Sequence, residues 1–437
     1  MDPTVSGILG IIALLVFILA GLHVGLVLVL VGGLGIVSLV GVQGGLNILG
    51  TTPFAVSSAY DLSPLPLFLL MGAFAANGGL GAIAYDTMTK WVGKVRGGLA
   101  IASTFGSAFF GLACGSSLAA AGVFTKVALP EMLKRNYDKE LAIGSIAAAG
   151  TFATMMPPSG LLIIYAIFTE ESIGQLFMAG IIPGIITAFS YAGLIYFRVR
   201  KNPDLAPMVT EFFDRRTKVI ALAKTWPIFL LAGLVLGGIF AGWFTATEAG
   251  GIGAFGALVI VLLNKGFRGT NLLGALMDCM RTNGMIFLVI IGAIVFGRFL
   301  SVTQIPVNLA LYLSELAIPK PAILMGFLMM YFVLGMFLDA VAILCITLPV
   351  VFPVIVHLGF NPIWFAIIVI KVTEIGLVTP PVGMNVYVAA SAAEGRVTLT
   401  EVFKGIAPFI FCDVFVLVLL ISFPKIALLL PGMMFQK

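Results

Sequence analysis

Pro157-Pro158-Ser159-Gly160-Leu161-Leu162-Ile163-Ile164-Tyr165-Ala166 and Pro380-Pro381-Val382-Gly383-Met384-Asn385-Val386-Tyr387-Val388-Ala389 are two versions of one stretch, each set inside an apolar segment. Two adjacent prolines remove two backbone donors and block the carbonyls one turn earlier, so a helix that reaches them has to open. In a bilayer the freed carbonyls are tolerated only where protein, water or an ion satisfies them. The same break in both halves of a membrane chain therefore points to a binding site.

Outward from these breaks, apolar runs recur along all 437 residues, of which 60% are hydrophobic, only 10% are charged and 51 are glycine. That composition predicts an all-α polytopic membrane protein. The longest polar stretch, Arg198 to Lys224, is too short to build a soluble core. Met1-Asp2-Pro3-Thr4 lacks the basic start of a secretory signal, so the first apolar run is expected to remain in the protein. The net charge of +5 fits Lys and Arg in cytoplasmic loops, and no nucleic acid partner is expected. Cys114, Cys279, Cys345 and Cys412 stand singly, and the histidines are His23 and His357. Disulfides, zinc and haem are not expected, nor is an enzyme, because no nucleophile, base and orienting residue fall together.

Gly7 to Val42 is too long for one crossing and reads as two helices or one strongly bent pair, with His23 at a helix end. A span over about Pro64 to Leu80 follows, and Tyr85 to Arg96 has the aromatic and basic mixture of an interfacial arm. Gly97 to Pro130 is dense in Gly, Ala and Ser, which taken alone fits tight helix packing or a re-entrant hairpin with Ser116-Ser117 at its tip. Leu141 to Phe168 is the first broken helix, and Leu176 to Phe197 leads to a basic linker expected on the cytoplasmic side. The second half has spans near 227–244, 250–263 and 284–300, with Lys265, Arg268 and Arg281 between the last two. Ile305 to Leu316 suggests a second arm, Ala322 to Val356 an apolar pair interrupted by Asp339, Pro362 to Ala389 the second broken helix, and Ile406 to Phe423 a last span.

Setting Pro157 on Pro380 gives an offset of 223 residues, which also sets Pro130 on Pro353 and Ser116 on Asp339. Ser172 to Pro183 matches Thr398 to Pro408 with one residue deleted. The halves are therefore read as a duplication. Lys134, Arg135 and Lys139 precede the first broken helix, whereas His357 to Pro362 before the second has no Lys or Arg, so the copies are expected to be inverted with both termini outside. This assignment requires both Gly97–Pro130 and Pro321–Pro353 to leave and return on one side, as re-entrant hairpins. The expected organisation is a first inverted repeat over 1–197 (hairpin 97–130, broken helix 141–168), a cytoplasmic linker over 198–225, and a second repeat over 226–437 (hairpin 321–353, broken helix 362–389).

Inverted repeats with broken helices describe a secondary transporter. Half-helix C-termini offer carbonyls to a cation, and half-helix N-termini offer N–H groups to a carboxylate. Gly335, Gly376, Thr379 and Val382 bracket the second break with carbonyls and a hydroxyl suited to a small hard cation such as sodium. Gly111, Ser116, Ser117, Gly150, Thr151 and Thr154 are their first-half counterparts; the plainer alternative is glycines that only permit packing and hydroxyls bonded back to their own helices. Ser159 and Asn385, just past the prolines, are candidates to donate to a substrate carboxylate or to bond across a helix interface. Asp339, an intramembrane carboxylate, is open to three roles: capping the inner helix of its hairpin, binding a proton or cation, or meeting the substrate, the last opposed by like-charge repulsion. Lys371 and Glu374, one turn apart, are expected to neutralise each other. Glu248 is read as a helix-start residue and Arg298 as snorkelling from a helix end.

Gly115-Ser116-Ser117-Leu118-Ala119-Ala120, Met156-Pro157-Pro158-Ser159, Thr245-Ala246-Thr247-Glu248-Ala249, Gly335-Met336-Phe337-Leu338-Asp339 and Val378-Thr379-Pro380-Pro381-Val382-Gly383 together resemble the large membrane subunit of tripartite ATP-independent periplasmic (TRAP) transporters, over the whole chain. The resemblance implies an elevator mechanism in the bacterial inner membrane. It implies sodium as the coupling ion and no other cofactor. The sodium positions carry over onto Gly335, Gly376 and Thr379, onto Val382 through its carbonyl, and loosely onto the first half. It also implies a lipid-embedded chain that works with a small four-helix membrane subunit and a periplasmic substrate-binding protein, both as separate polypeptides, to import an organic acid such as a C4-dicarboxylate or sialic acid. The alternatives are a stand-alone sodium/carboxylate symporter of the same fold and a non-transporting membrane scaffold.

Overall fold

In the computed structural model the described residues are 2–208, 213–269, 271–315 and 318–434, with side chains of 265–269, 314 and 315 left aside. They form 21 α-helices, two single 3-10 turns and no strand. Residues 209–212 of the expected linker, Leu316 at the end of the expected second arm, and the Lys265 and Arg268 side chains fall outside this description.

Two helices do fill the first apolar run: α1 (Pro3–Leu19) and α2 (Val24–Val40), with His23 as the residue capping α2. A further helix, α3 (Val42–Ser57), leads into α4 (Pro64–Asn77), and α5 (Leu80–Val92) covers most of the expected arm. Next come α6 (Gly98–Cys114) and α7 (Ser117–Lys134), then α8 (Lys139–Ala153) and α9 (Gly160–Thr169), separated by the proline pair. The long α10 (Ile173–Lys201) reaches the linker, which holds α11 (Arg215–Lys224) before α12 (Trp226–Phe240).

The remainder is α13 (Ala246–Gly269), α14 (Leu272–Thr303), α15 (Ile305–Glu315), α16 (Lys320–Gly335), α17 (Ala340–His357), α18 (Pro362–Gly376), α19 (Met384–Ala392), α20 (Leu399–Ser422) and α21 (Lys425–Met433). α14 is much longer than its expected span, so Arg281 lies inside a helix and not in a connecting loop. α3 and α21 are helices the sequence reading did not mark; both carry an internal proline, Pro53 and Pro431.

Among the described residues, five helices are long and apolar enough to cross a membrane, or up to seven if each bent pair counts as one span. Large apolar side chains, among them Leu19, Leu34, Phe54, Phe255 and Phe411, stand exposed on the outside. In water such a surface would be an aggregation liability; in hydrocarbon it is the expected exterior. The interior is one large apolar core into which both proline-broken helices are sunk, with a small separate cluster of Ala310, Ile323, Val354 and Leu358, and every residue of α18 except its Pro362 N-terminus is buried. α7 packs on α8 and α19, and α17 packs on α18 and α9, so the second helix of each hairpin touches both halves of the chain.

Candidate functional site

The site is built where hairpin turns meet helix breaks. α6 stops because Gly115 takes a left-handed φ of +60°, and Ser116 then caps α7 by accepting from the Ala119 N–H at 3.4 Å. No other residue fits at 115, because a Cβ there would overlap the Pro158 carbonyl of the first break. In the second half, Asp339 caps α17 by accepting from the Ala342 N–H at 3.1 Å, so the capping role is realised. The paired backbones touch there too: a Cβ on Gly376 would lie 2.6 Å from the Gly335 Cα, and one on Gly335 would lie 2.8 Å from the Thr373 carbonyl oxygen. Glycine on both sides is what lets the two helix C-termini bring their carbonyls together.

Of the second-half candidates, Gly335, Gly376 and Thr379 are thus assembled. The Thr379 hydroxyl donates to the Ile375 carbonyl at 2.7 Å and its N–H to the Gly376 carbonyl at 2.9 Å, which leaves the hydroxyl lone pairs free. Val382 follows in the same turn, whose Gly383 N–H reaches the Met336 carbonyl at 3.4 Å. In the first half, Gly111 packs on the Ala153 backbone and Gly150 on the Ser117 carbonyl. Thr151 is not brought to the hairpin: its hydroxyl donates back to Ala148 and stands 3.4 Å from the Tyr191 hydroxyl, on the side of α10.

A cavity of about 480 Å³ opens beside these turns. Ser116, Ser117, Thr154 and Asp339 line it from the hairpins and the first break, and His23, Leu69, Thr282 and Met285 line it from α2, α4 and α14. Five helices begin on its wall: Val24 opens α2, Ser117 opens α7, Gly160 opens α9, Ala340 opens α17 and Met384 opens α19. Each brings the positive end of its dipole to the wall, and although Ser116 and Asp339 already accept from the Ala119 and Ala342 N–H groups, this polarity favours an anion where no Lys or Arg lines the wall.

Ser159 and Asn385 are both fully buried and line no part of this cavity. Asn385 instead donates through Nδ2 to Glu374 Oε2 at 3.3 Å, while its Oδ1 and the Ser159 hydroxyl have no hydrogen-bond partner among the described residues. Glu374 and Lys371 do not neutralise each other. The Lys371 ammonium is turned to Asp413 on α20, which also accepts from the Tyr191 hydroxyl at 2.6 Å, and Thr187 lies 3.4 Å away. Glu374 points the other way, to the Thr154 hydroxyl at 2.7 Å, with Ser117 also in reach. The helix decides this: residues three apart differ by about 60° around the axis, enough to aim one at α20 and α10 and the other at the first break.

Asp413 is the buried polar residue the sequence reading did not name, and Glu374 was read there only as a partner of Lys371. The available signal was Asp413 itself, an intramembrane carboxylate further to Asp339 and Glu374, which needs a cation and leaves Lys371 unavailable to Glu374. Arg298 does not reach from a helix end; its guanidinium donates to the Thr52 hydroxyl at 3.0 Å, packing α14 to α3. Glu248 is a helix-start residue, accepting from the Thr245 N–H at 2.8 Å.

A sequence profile of the DctM component of tripartite ATP-independent periplasmic transporters matches residues 11–426. The chain belongs to that family. It is 32% identical over 405 residues to the C4-dicarboxylate TRAP transporter large permease protein DctM of Pseudomonas aeruginosa, covering 90% of this chain and 93% of the relative. It is 29% identical over 378 residues to the sialic acid TRAP transporter large permease protein SiaM of Vibrio cholerae, covering 85% and 86%. The isethionate TRAP transporter permease protein DctMQ of Oleidesulfovibrio alaskensis is 28% identical, covering 87% of this chain and 59% of that protein. The crystal structure of the Alcanivorax borkumensis YdaH transporter shares the fold, with a TM-score of 0.63 over 87% of this chain and 89% of that one at 16% identity. This DctM-family chain is a multi-pass membrane transporter component and not an enzyme.

Proposed function

We propose that the chain is the large permease subunit of a sodium-coupled, binding-protein-dependent importer of an organic acid in the bacterial inner membrane. The observation that carries this reading is the cavity walled by five helix N-termini, beside two places where helix C-termini crowd their carbonyls together. The first arrangement favours a carboxylate or sulfonate, and the second favours sodium at Gly335, Gly376, Thr379 and the Val382 carbonyl, with Gly111, Ser116, Ser117, Gly150 and Thr154 forming the weaker first-half counterpart. The named relatives handle C4-dicarboxylates, sialic acid and isethionate, all anionic at neutral pH, which supports the same substrate class here. A small membrane subunit and a periplasmic binding protein complete the proposed assembly.

The proposed architecture is two inverted repeats, 1–197 and 226–437, joined by the linker. Support comes from pairs of equivalent residues that meet inside the protein: Tyr191 donates to Asp413, 222 positions later, and Cys412 donates to the Ser190 carbonyl at 3.9 Å, again 222 positions apart. The proposed movement is an elevator, in which hairpins and broken helices slide against α2, α4 and α14 across the cavity.

The test is uptake of radiolabelled C4-dicarboxylates and sialic acid into proteoliposomes holding this chain and its small partner, under an inward sodium gradient, with and without binding protein. Uptake that needs both sodium and binding protein is the expected result. Sodium-driven uptake without the binding protein would instead make this a stand-alone symporter. No uptake of a ligand the binding protein demonstrably holds would remove the transport reading and leave a scaffold.

A further inference from the structure

The basic linker is not a loose tether. α11 is seated on α5 by two hydrogen bonds to its backbone: the Thr87 hydroxyl donates to the Ala221 carbonyl at 3.0 Å, and Trp91 Nε1 donates to the Lys218 carbonyl at 3.1 Å. Ala221 and Thr225 are buried on that side. Arg216, Val219, Ile220 and Ala223, spaced i, i+3, i+4 and i+7, share the opposite face, and all four are exposed. Leu222 beside them is exposed as well. A helix with basic residues at its ends and bare apolar residues at its middle has the pattern of one laid in a membrane interface.

The neighbouring elements set this face at the edge of the hydrocarbon. α12 continues from α11 after a bend of 47°, and its exposed Leu230, Leu234 and Phe240 belong to the lipid-facing exterior. Trp226 at the start of α12 and Trp91 on α5 are both exposed, as aromatic residues are at the boundary between acyl chains and headgroups. Trp243, just past the far end of α12, is exposed too and marks the other boundary. Charge tells the two ends apart. Arg96, Arg215, Arg216 and Lys224 stand exposed at the end marked by Trp91 and Trp226, whereas Trp226 to Leu263 contains no Lys or Arg. The carboxylates beside α5 and α11 are already engaged: Asp86 pairs with Lys90 at 2.5 Å, and Asp214 accepts from the Thr217 N–H at 2.9 Å.

A partner for this face must be apolar in one part and anionic in another. A nucleic acid or a free phosphate answers the charge but leaves Val219 and Ile220 in water; an acyl chain beneath a phosphate answers both. We propose that α11, held on α5, is a docking surface for anionic phospholipid: Val219, Ile220 and Leu222 enter the acyl boundary, and Arg215, Arg216 and Lys224 hold the phosphate headgroups. Because Thr87 and Trp91 tie α11 to α5, lipid bound there fixes the arm as well as the linker in the plane of the bilayer. The inference uses the membrane embedding of α12 and does not rest on the transport reading.

The experiment is tryptophan quenching in the purified full chain, reconstituted into phosphatidylcholine vesicles that carry a minor share of brominated phosphatidylglycerol or, in parallel, of brominated phosphatidylcholine. The signal of Trp226 is the difference between the wild type and Trp226→Phe, and that of Trp243 the difference from Trp243→Phe. The expected result is stronger quenching of Trp226 by the brominated phosphatidylglycerol, with Trp243 quenched equally by both lipids. Each Lys or Arg near an anionic surface is worth about fivefold in association, so the combined change Arg215→Gln, Arg216→Gln and Lys224→Gln should erase the preference at Trp226. Should that variant fail to reconstitute, Arg216→Gln alone should weaken the preference by about fivefold. Equal quenching of Trp226 by both lipids in the wild type would overturn the proposal, as would a preference that survives these changes. A preference abolished by inorganic phosphate would assign the face to a free anion, and one abolished by adding the small membrane subunit would assign it to a protein; either overturns the lipid. The readout needs no substrate or gradient, so it fails or succeeds independently of uptake.

Discussion

At the residue scale, two side chains separate the proposed ion site from the framework. Thr379 is held by its bond to Ile375 with its lone pairs unspent, so Thr379→Ala removes an oxygen without removing a donor that another group depends on. The expected outcome is a roughly tenfold rise in the sodium concentration for half-maximal uptake, equivalent to about 1.4 kcal/mol, with little change in the unfolding midpoint. Lys371 should behave in the opposite way. Lys371→Met leaves Asp413 buried and unpaired beside Tyr191, and breaking such a pair typically costs about 3–5 kcal/mol. Thermal unfolding in detergent should show that loss, and the double change Lys371→Met with Asp413→Leu should recover most of it, since two apolar groups of similar volume leave no charge stranded. The proline pairs and the glycines flanking them were legible here from residue type alone. The direction in which Lys371 and Glu374 point was not, because an i, i+3 pair in sequence says nothing about what other helices offer each partner.

At the element scale, helix ends do much of the work, and their caps follow from local sequence. Ser116 and Asp339 occupy equivalent positions and both cap the second helix of a hairpin, which is why a hydroxyl and a carboxylate can stand in for each other there. The linker supplies a cap that can be titrated in water. Asp214 accepts from Thr217 at the start of α11, and those hydrogen bonds hold its carboxyl below the usual carboxylate value. A carboxyl depressed in the folded state stabilises above its unfolded value and loses that stabilisation as pH falls through the folded one. Exchange protection of the Thr217 amide, corrected for intrinsic rate, should therefore be full at neutral pH and fall on acidification below the ordinary carboxylate range. Asp214→Asn should show no such pH dependence. α3 and α21 escaped the sequence reading because neither separates cleanly from the run beside it: one glycine, Gly41, divides α2 from α3, and a proline, Pro424, divides α20 from α21.

At the scale of the whole molecule, the cavity lies between α2, α4 and α14 on one side and the hairpins and broken helices on the other. Met285 on α14 and Met384 at the start of α19 both line it. If transport requires these groups to slide, then Met285→Cys with Met384→Cys, in a background lacking Cys114, Cys279, Cys345 and Cys412, should lose uptake when a cavity-spanning bifunctional maleimide is added. Each single cysteine should keep it. Uptake that survives cross-linking shown complete on a gel would mean the two groups do not need to separate.

The sequence by itself determined that the chain is helical and membrane-embedded, that two helices break at proline pairs, and that hairpin glycines and hydroxyls repeat with them. Those properties are written in hydropathy, in proline's missing N–H and in the capping preference of Ser and Asp, all of which act within a few residues. Only the tertiary structure decided that five helix N-termini share one cavity, that Lys371 belongs to Asp413, and that Glu374 reaches across to Thr154, 220 positions away. Each of those depends on how helices distant in sequence are rotated and seated against one another, and that is set by packing the whole apolar interior at once.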